Sequence, residues 1–120
     1  MAKKIMIVDD SRTIRQQVCD ALTRHGFEVV EANDGNEGLA QLKAHPDLAM
    51  IISDVNMPNM DGLEMLEKIR AASNPITVVM LTTEGASDLI SRAKAAGAKA
   101  WLVKPFEPDQ LVKTVIKLAA

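Results

Sequence analysis

Four apolar stretches of the sequence each end at a polar side chain that could take part in chemistry. They begin near residues 4, 49, 76 and 100, and the side chains that follow them are Asp9 with Asp10, then Asp54, Thr82 and Lys104. The carboxyl ends of parallel strands meet at one edge of a sheet. If the four stretches are neighbouring parallel strands, three carboxylates, a hydroxyl and an ammonium converge there. We expect that edge to carry the active site.

A cluster of carboxylates indicates a cation site. At about 4 Å and an effective dielectric near 20, each pair of carboxylates repels by about 4 kcal/mol unless a positive charge offsets it. Mg²⁺ prefers oxygen ligands, takes one or two carboxylates, and keeps water and phosphate oxygens around it. We expect Asp10 and Asp54 to bind Mg²⁺ directly and Asp9 to act through water. The main-chain carbonyl of Asn56 would complete the set.

The same group of side chains suits phosphoryl transfer. With the cation, Lys104 and Thr82 can neutralise the equatorial oxygens of a transferring phosphoryl group. An aspartate can itself act as the nucleophile and form an acyl phosphate. Asp54 is best placed for this, because it ends the central strand. Each piece also has an ordinary reading: Asp9 and Asp10 could cap a helix, and a Lys-Pro pair is usually only a turn.

The residues between these stretches alternate between strand and helix patterns. Asp34 with Glu37, and Asp61 with Glu64, have the spacing of N-terminal helix caps. Strands are predicted at 4–9, 27–32, 49–54, 76–82 and 100–104, and helices at 12–25, 34–44, from 61, at 86–96 and from 107.

Such alternation predicts an α/β fold, a five-stranded parallel sheet with helices on both faces. Strands one, three and four are the most apolar, so we place them in the middle, and the charges that flank strands two and five suit the edges. The order 2-1-3-4-5 satisfies both conditions. Ligands of such doubly wound sheets lie beyond the carboxyl ends of strands one and three, where Asp9, Asp10 and Asp54 are expected.

Composition limits the classes of protein to consider. The 120 residues, 48% hydrophobic and 25% charged, fit a single domain over residues 1–120. A net charge of −2 gives no basic surface for nucleic acid. The single cysteine, Cys19, excludes an internal disulfide and suits a reducing compartment. No apolar stretch approaches the roughly 20 residues of a membrane span. We expect a cytoplasmic monomer that binds neither membrane nor nucleic acid.

At its functional residues the sequence resembles the receiver domains of two-component response regulators. The resemblance covers essentially the whole chain and is strongest to stand-alone chemotaxis regulators of the CheY type. The flavodoxin-like strand order 2-1-3-4-5 is known from CheY itself, so the order expected above has that precedent. The positions that match the family pattern are Asp9-Asp10, the segment from Asp54 to Gly62, Thr82, and Lys104-Pro105-Phe106.

The resemblance implies a function. Asp54 would accept a phosphoryl group from a phosphohistidine of a sensor histidine kinase, with Mg²⁺ required. Thr82 would contact the bound group, Lys104 would pair with it, and the Lys104–Pro105 bond would be cis. The chain would catalyse only its own phosphorylation and dephosphorylation, so it would not be an enzyme in the usual sense. Asn56 and Glu84 occupy the two positions that tune self-dephosphorylation in the family.

The resemblance also implies that phosphorylation switches a protein-binding surface. The aromatic switch position of the family, usually tyrosine or phenylalanine, holds Trp101 here, and the usually small position after Thr82 holds Thr83. Both differences should limit how far the aromatic ring turns inward, unless Trp101 only packs against an edge helix. We expect the output partner, such as the flagellar motor switch, to bind the fourth helix, fifth strand and fifth helix. Our expected surface residues are Ile90, Trp101 and Lys117.

Two other classes of function remain open. The chain could be a small Mg²⁺-dependent phosphohydrolase with an aspartyl-phosphate intermediate, but such enzymes usually carry an acid where Asn56 stands. They also enclose the substrate under a cap. It could instead be a constitutive docking domain with a vestigial pocket, although the intact acidic cluster argues against that. A phosphatase is a further possible partner of the receiver.

Overall fold

The structure, a computed structural model, describes residues 3–83 and 87–119 of the chain. Strands and helices alternate throughout. The elements are β1 Lys4–Val8, α1 Arg12–Arg24, β2 Glu28–Ala32, α2 Gly35–Ala44, β3 Leu48–Asp54, α3 Gly62–Ala71, β4 Thr77–Thr83, α4 Ser87–Ala95, β5 Ala100–Lys104 and α5 Pro108–Ala119. None of the helices in the described ranges has the length and apolar character that a membrane span requires.

The five strands form one parallel sheet in the order β2-β1-β3-β4-β5. The predicted α/β architecture and strand order are therefore confirmed. Val8 lies opposite Ser53, and Asp54 lies opposite Leu81. This register brings the carboxyl ends of β1, β3 and β4 to the same height along the sheet.

Helices cover both faces of the sheet and bury a hydrophobic cluster on each. Since side chains of a strand alternate between faces, neighbouring residues of β3 belong to different clusters: Ile51 faces α2, α3 and α4, and Ile52 faces α1 and α5. β1 and β3 are almost fully buried, whereas the edge strand β2 exposes Glu28 and Glu31. Charges on an exposed edge discourage pairing with another chain.

Both predicted helix caps are present. The carboxylate of Asp34 accepts the amide N–H of Glu37 at 2.8 Å, and that of Asp61 accepts the amide of Glu64 at 2.8 Å. Glu37 also reaches back, but to the amide of Asn33 at 3.1 Å. These bonds satisfy amides that a helix start otherwise leaves unpaired, and they fix where α2 and α3 begin.

The predicted boundaries differ from the observed ones by no more than one residue. β1 ends at Val8 because the carboxylate of Asp9 accepts the amide of Ser11 at 2.8 Å, which turns the chain into α1. Gly26 has a φ of 87°, a left-handed conformation that glycine adopts without strain. The turn that it makes delays β2 to Glu28. The fourth helix begins at Ser87, and residue 86, where it was predicted to start, lies outside the described residues.

Candidate active site

The predicted polar side chains lie together at the carboxyl edge of the sheet. Asp9 follows β1 and Asp54 ends β3; their residues are 0% and 6% exposed. Asp10 follows Asp9 and is exposed. One carboxylate oxygen from each of the three lies within 4.8 Å of the other two. The topology alone produces this gathering, since the chain separates Asp9 from Asp54 by 45 positions but β1 and β3 are hydrogen-bonded neighbours.

Lys104 connects two of the three carboxylates. Its Nζ lies 2.9 Å from Asp9 Oδ2 and 3.2 Å from Asp54 Oδ2. Burial alone would lower the pKa of Lys104, but the hydrogen bond to Asp9 and the charges of Asp54 and Asp9 outweigh it, so its pKa is raised. The ammonium therefore stays charged and offsets part of the repulsion between the two buried acids.

The surroundings of Asp54 disfavour the ionised form of its carboxyl group. Burial raises its pKa above the ordinary value, and the neighbouring charge of Asp9 raises it further. Lys104 and the amide of Asn56 lower it, without cancelling the rise. The site therefore holds more negative charge than its own lysine neutralises, which is the condition a bound cation would relieve.

The donor set fits a hard divalent cation. Three carboxylates supply oxygen atoms only, the ligand type that Mg²⁺ and Ca²⁺ prefer. Asp10 is exposed, so an ion can enter from solvent and keep some of its water. Asp9 already accepts hydrogen bonds at both carboxylate oxygens, from Ser11 and Lys104, which leaves Asp10 and Asp54 as the freer oxygen donors.

Thr82 lies on β4, next to the acidic cluster. It is 1% exposed, and its hydroxyl has no hydrogen-bond partner among the described residues. An unsatisfied buried hydroxyl costs about 1–3 kcal/mol. Its residue pairs with Val103 of β5, so Thr82 lies beside the strand that delivers Lys104. Along β4, Thr82 therefore follows the residue that pairs with Asp54 and precedes the residue that pairs with Lys104.

The loop after Asp54 is held by contacts that the sequence did not reveal. Asn59 has a φ of 68°, and its Nδ2 donates to Asp34 Oδ2 at 2.9 Å. This ties the loop to the start of α2. A Cβ on Gly62 would lie 2.1 Å from the main-chain oxygen of Asp54, so only glycine allows α3 to start this close to β3. Asn56 is exposed on the same loop.

The remaining predicted surface and tuning residues lie away from the acidic cluster or outside the described residues. Trp101 is half-buried against the α2–α3–α4 side of the core, and the Nζ of Lys94 lies 5.3 Å from the centre of its ring. This packing against α4 is the ordinary alternative considered for Trp101. Ile90 is half-buried and Lys117 exposed. Glu84 and the side chain of Thr83 lie outside the described residues, and the Lys104–Pro105 bond is cis.

Sequence reasoning also missed Arg15. Its Nη1 donates to the main-chain oxygen of Asp9 at 2.6 Å, and its Nε donates to Glu31 at 3.3 Å. An arginine in the second turn of a helix carries no pattern that identifies such a contact. It depends on the angle at which α1 leaves β1, which only the folded chain defines.

Comparison with known proteins places these features in a family. Residues 5–116 match the family model of the response regulator receiver domain. The chemotaxis protein CheY1 of Helicobacter pylori is 40% identical over 111 residues, 90% of each chain. The chemotaxis protein CheY of Bacillus subtilis is 37% identical over 119 residues, 98% of each chain. The chemotaxis response regulator CheY4 of Vibrio cholerae is 42% identical with a TM-score of 0.91, over 98% of this chain and 99% of that one.

Since the family model covers almost all of the chain and these relatives match it nearly end to end, the protein belongs to the response regulator receiver domain family.

Proposed function

We propose that this chain is a single-domain chemotaxis response regulator in which Asp54 is the phosphoacceptor. The observation that carries the proposal is the position of that carboxylate. It ends the central strand within 4.8 Å of the oxygens of Asp9 and Asp10 and 3.2 Å from the ammonium of Lys104. The likeness to the named chemotaxis proteins supports the signalling context.

The reaction is the transfer of a phosphoryl group from a phosphohistidine of a sensor histidine kinase to Asp54. One carboxylate oxygen forms a bond to phosphorus while the phosphorus–nitrogen bond of the donor breaks, and the imidazole leaves with that electron pair. The ammonium of Lys104 would form an ion pair with the phosphoryl oxygens, because its flexible side chain already reaches both buried acids. The hydroxyl of Thr82, which lacks a partner in the described part of the chain, would donate a hydrogen bond to the phosphoryl group.

Asp10 and Asp54 would hold Mg²⁺ directly, with Asp9 acting through water and the carbonyl of Asn56 completing the set. When bound, the ion lowers the charge of the acidic cluster and of the phosphoryl oxygens, which makes approach of two anions possible. Asp9 suits the outer role because both of its carboxylate oxygens are already hydrogen-bonded.

The phosphorylated state would act through binding. The phosphoryl group carries a charge of about −2 in place of the single charge of the carboxylate. It would draw Thr82 and Lys104 toward Asp54 and bias the face formed by α4, β5 and α5. Ile90, Trp101 and Lys117 are the residues we assign to that face, with a flagellar motor switch protein as its partner. Asn56 and Glu84 would set the lifetime of the phosphoryl group, and a phosphatase could shorten it. A monomer in the cytoplasm, where it can meet the kinase, completes the proposal.

The phosphohydrolase and the constitutive docking domain are not favoured. The family match and the named relatives are response regulators. In the described residues there is also no inserted segment between the strands that could enclose a substrate, since the five strands alternate directly with five helices.

Incubation with acetyl phosphate and Mg²⁺ tests the assignment. We expect one phosphoryl group per chain, stable in acid and released by hydroxylamine, as an acyl phosphate is. Asp54→Ala should abolish labelling, whereas Asp20→Ala, which removes an exposed aspartate of α1, should leave it intact. Labelling that persists in Asp54→Ala, or steady turnover of many phosphate esters, would contradict the proposal.

A further inference from the structure

Arg15 joins the second turn of α1 to the segment that carries two of the acids. Its side chain is 17% exposed. Nη1 donates to the main-chain oxygen of Asp9 at 2.6 Å, and Nε donates to Glu31 Oε1 of the edge strand at 3.3 Å. A guanidinium donating to a carbonyl makes a charge-assisted bond, which is stronger than a neutral one. The Glu31 pair is half-exposed and adds little energy of its own, so its effect is to hold the guanidinium in place.

The bond to Asp9 matters most for the residue after it. Asp9 is held without Arg15: its carboxylate accepts from Ser11 and Lys104, and its amide donates to the oxygen of Ala32 at 3.1 Å. By contrast, the hydrogen bonds of the described residues include none to the carboxylate of Asp10, which is exposed. Among the described residues, the main chain of Asp10 is therefore what limits the directions that its carboxylate can take.

The main-chain oxygen of Asp9 belongs to the peptide group that leads into Asp10. Because a peptide group is planar, fixing that oxygen fixes the orientation of the whole Asp9–Asp10 peptide. We propose that Arg15 is a positioning residue, which holds this peptide so that the carboxylate of Asp10 faces Asp54 across the cation site. The proposal rests on the proposed function only in taking the acidic cluster as the Mg²⁺ site.

Electrostatics alone predicts that loss of Arg15 would strengthen Mg²⁺ binding, whereas a positioning role predicts that it would weaken it. Arg15 is a positive charge close to the acids, so removing it should strengthen the attraction of the cluster for a cation. A positioning residue does the reverse, since its loss leaves Asp10 misdirected and weakens binding. The sign of the change in Mg²⁺ affinity therefore separates the two effects.

The test measures the Mg²⁺ dissociation constant of the full chain by calorimetry, without any phosphodonor. Arg15→Lys keeps the charge but not the paired donors of the guanidinium, and Arg15→Gln removes both. Loss of a group that orients a ligand typically costs 10- to 100-fold in metal affinity, so we expect about tenfold weaker binding for both variants. Arg12→Lys and Arg12→Gln are the matched controls, because Arg12 is an exposed arginine one turn earlier on the same helix.

A structural role would give a different pattern. If Arg15 only fastened α1 to β2, Arg15→Lys and Glu31→Gln would lower the melting temperature alike and leave the Mg²⁺ affinity unchanged. Positioning predicts that Glu31→Gln changes the affinity less than Arg15→Lys does. It also predicts that the amide resonance of Asp10 shifts in metal-free Arg15→Lys. If Arg15→Lys does not fold, the Mg²⁺ affinity of Arg15→Gln is compared with that of Glu31→Gln instead.

The outcomes also separate this inference from the proposed function. Affinity in the Arg15 variants that equals or exceeds that of the unaltered chain overturns the positioning role and leaves phosphorylation of Asp54 intact. An unaltered chain that binds no Mg²⁺ overturns both. Weaker binding in the Arg15 variants, with Arg12 variants unchanged, supports the inference.

Discussion

At the scale of single residues, the fold holds Asp54 in a place where its ionised form is disfavoured. Burial and the charge of Asp9 raise its pKa, and Lys104 offsets only part of the rise. A raised pKa means that the ionised carboxylate destabilises the folded chain at neutral pH. The fold is thus less stable at the position of the proposed phosphoacceptor, and a bound cation would offset that cost.

Asp54→Asn should raise the melting temperature of the metal-free protein. The amide keeps the shape of the side chain and removes the disfavoured charge, so we expect a rise of about 3 °C for a domain of this size. Asp20→Asn, an exposed aspartate of α1, is the control and should change little. Calorimetry in a chelating buffer makes the measurement, and an unchanged or lower value for Asp54→Asn would count against the crowding of the carboxylates.

The advantage of Asp54→Asn should depend on pH. Because the pKa of Asp54 is raised in the folded state, the penalty is full above that folded pKa and fades as the pH falls through it, when the carboxyl takes up a proton. The difference in melting temperature between the two proteins should therefore shrink on acidification. A difference that stays constant from neutral to acid pH would mean that the charge of Asp54 is not its source.

Lys104→Met should destabilise the metal-free chain. It leaves Asp9, which is fully buried, and Asp54 without their shared ammonium, and breaking a buried pair from one side typically costs about 3 kcal/mol. Urea unfolding measures the loss, and Lys99→Met, at an exposed lysine, is the control. If both variants lose equally little, Lys104 does not offset the buried acids.

At the scale of elements, the helices around the site are set by short-range signals that can be read from the sequence. The caps at Asp34 and Asp61 were predicted from spacing alone and are present. The strand order followed from which strands were apolar and which were charged, with the precedent of the fold behind it. Such signals are local or periodic, so they can be recognised in the sequence without knowledge of the fold.

The contacts between elements could not be predicted in the same way. The bonds from Asn59 to Asp34 and from Arg15 to Asp9 join residues whose approach depends on loop conformation and helix direction. Polar side chains at exposed helix and loop positions have many possible partners, and nothing in their spacing selects one. The sequence therefore predicted which groups lie together at the edge of the sheet but not which groups hold them in place.

Asp34→Ala should test how the start of α2 is held. The carboxylate of Asp34 caps the helix and accepts from Asn59, and both bonds lower its pKa. Loss of an N-cap costs about 1 kcal/mol, so we expect a loss of about that size in urea unfolding at neutral pH. Because the pKa is lowered in the fold, the contribution is present above the unfolded pKa and disappears as the pH falls through the folded one.

Asn36→Ala is the matched control for that experiment, since Asn36 is exposed on the first turn of the same helix. It should cost much less than Asp34→Ala. Equal losses in the two variants, or a loss in Asp34→Ala that persists in acid, would show that the cap is not what stabilises this end of α2.

At the scale of the whole molecule, the proposed cation site depends on the folding of the chain. Asp9 and Asp10 follow β1, whereas Asp54 ends β3, so nothing in an unfolded chain would hold the three oxygens within 4.8 Å of one another as the fold does. A ligand that binds only the folded state stabilises it by mass action, by about 2.7 kcal/mol at a concentration 100 times its dissociation constant. The stability of the folded chain should therefore depend on the affinity of this site for the metal.

Mg²⁺ should consequently raise the melting temperature, and the rise should continue with the logarithm of its concentration after the site is saturated. This follows because each further increase in free ion still pulls the folding equilibrium toward the bound state. Asp10→Asn should lose most of this dependence, since it removes the acid that is both exposed and free of hydrogen bonds in the described part of the chain. Scans at constant ionic strength, balanced with NaCl, exclude simple screening of the surface charges. A melting temperature that levels off, or that rises equally in Asp10→Asn, would mean that the ion stabilises the protein somewhere other than at these three carboxylates.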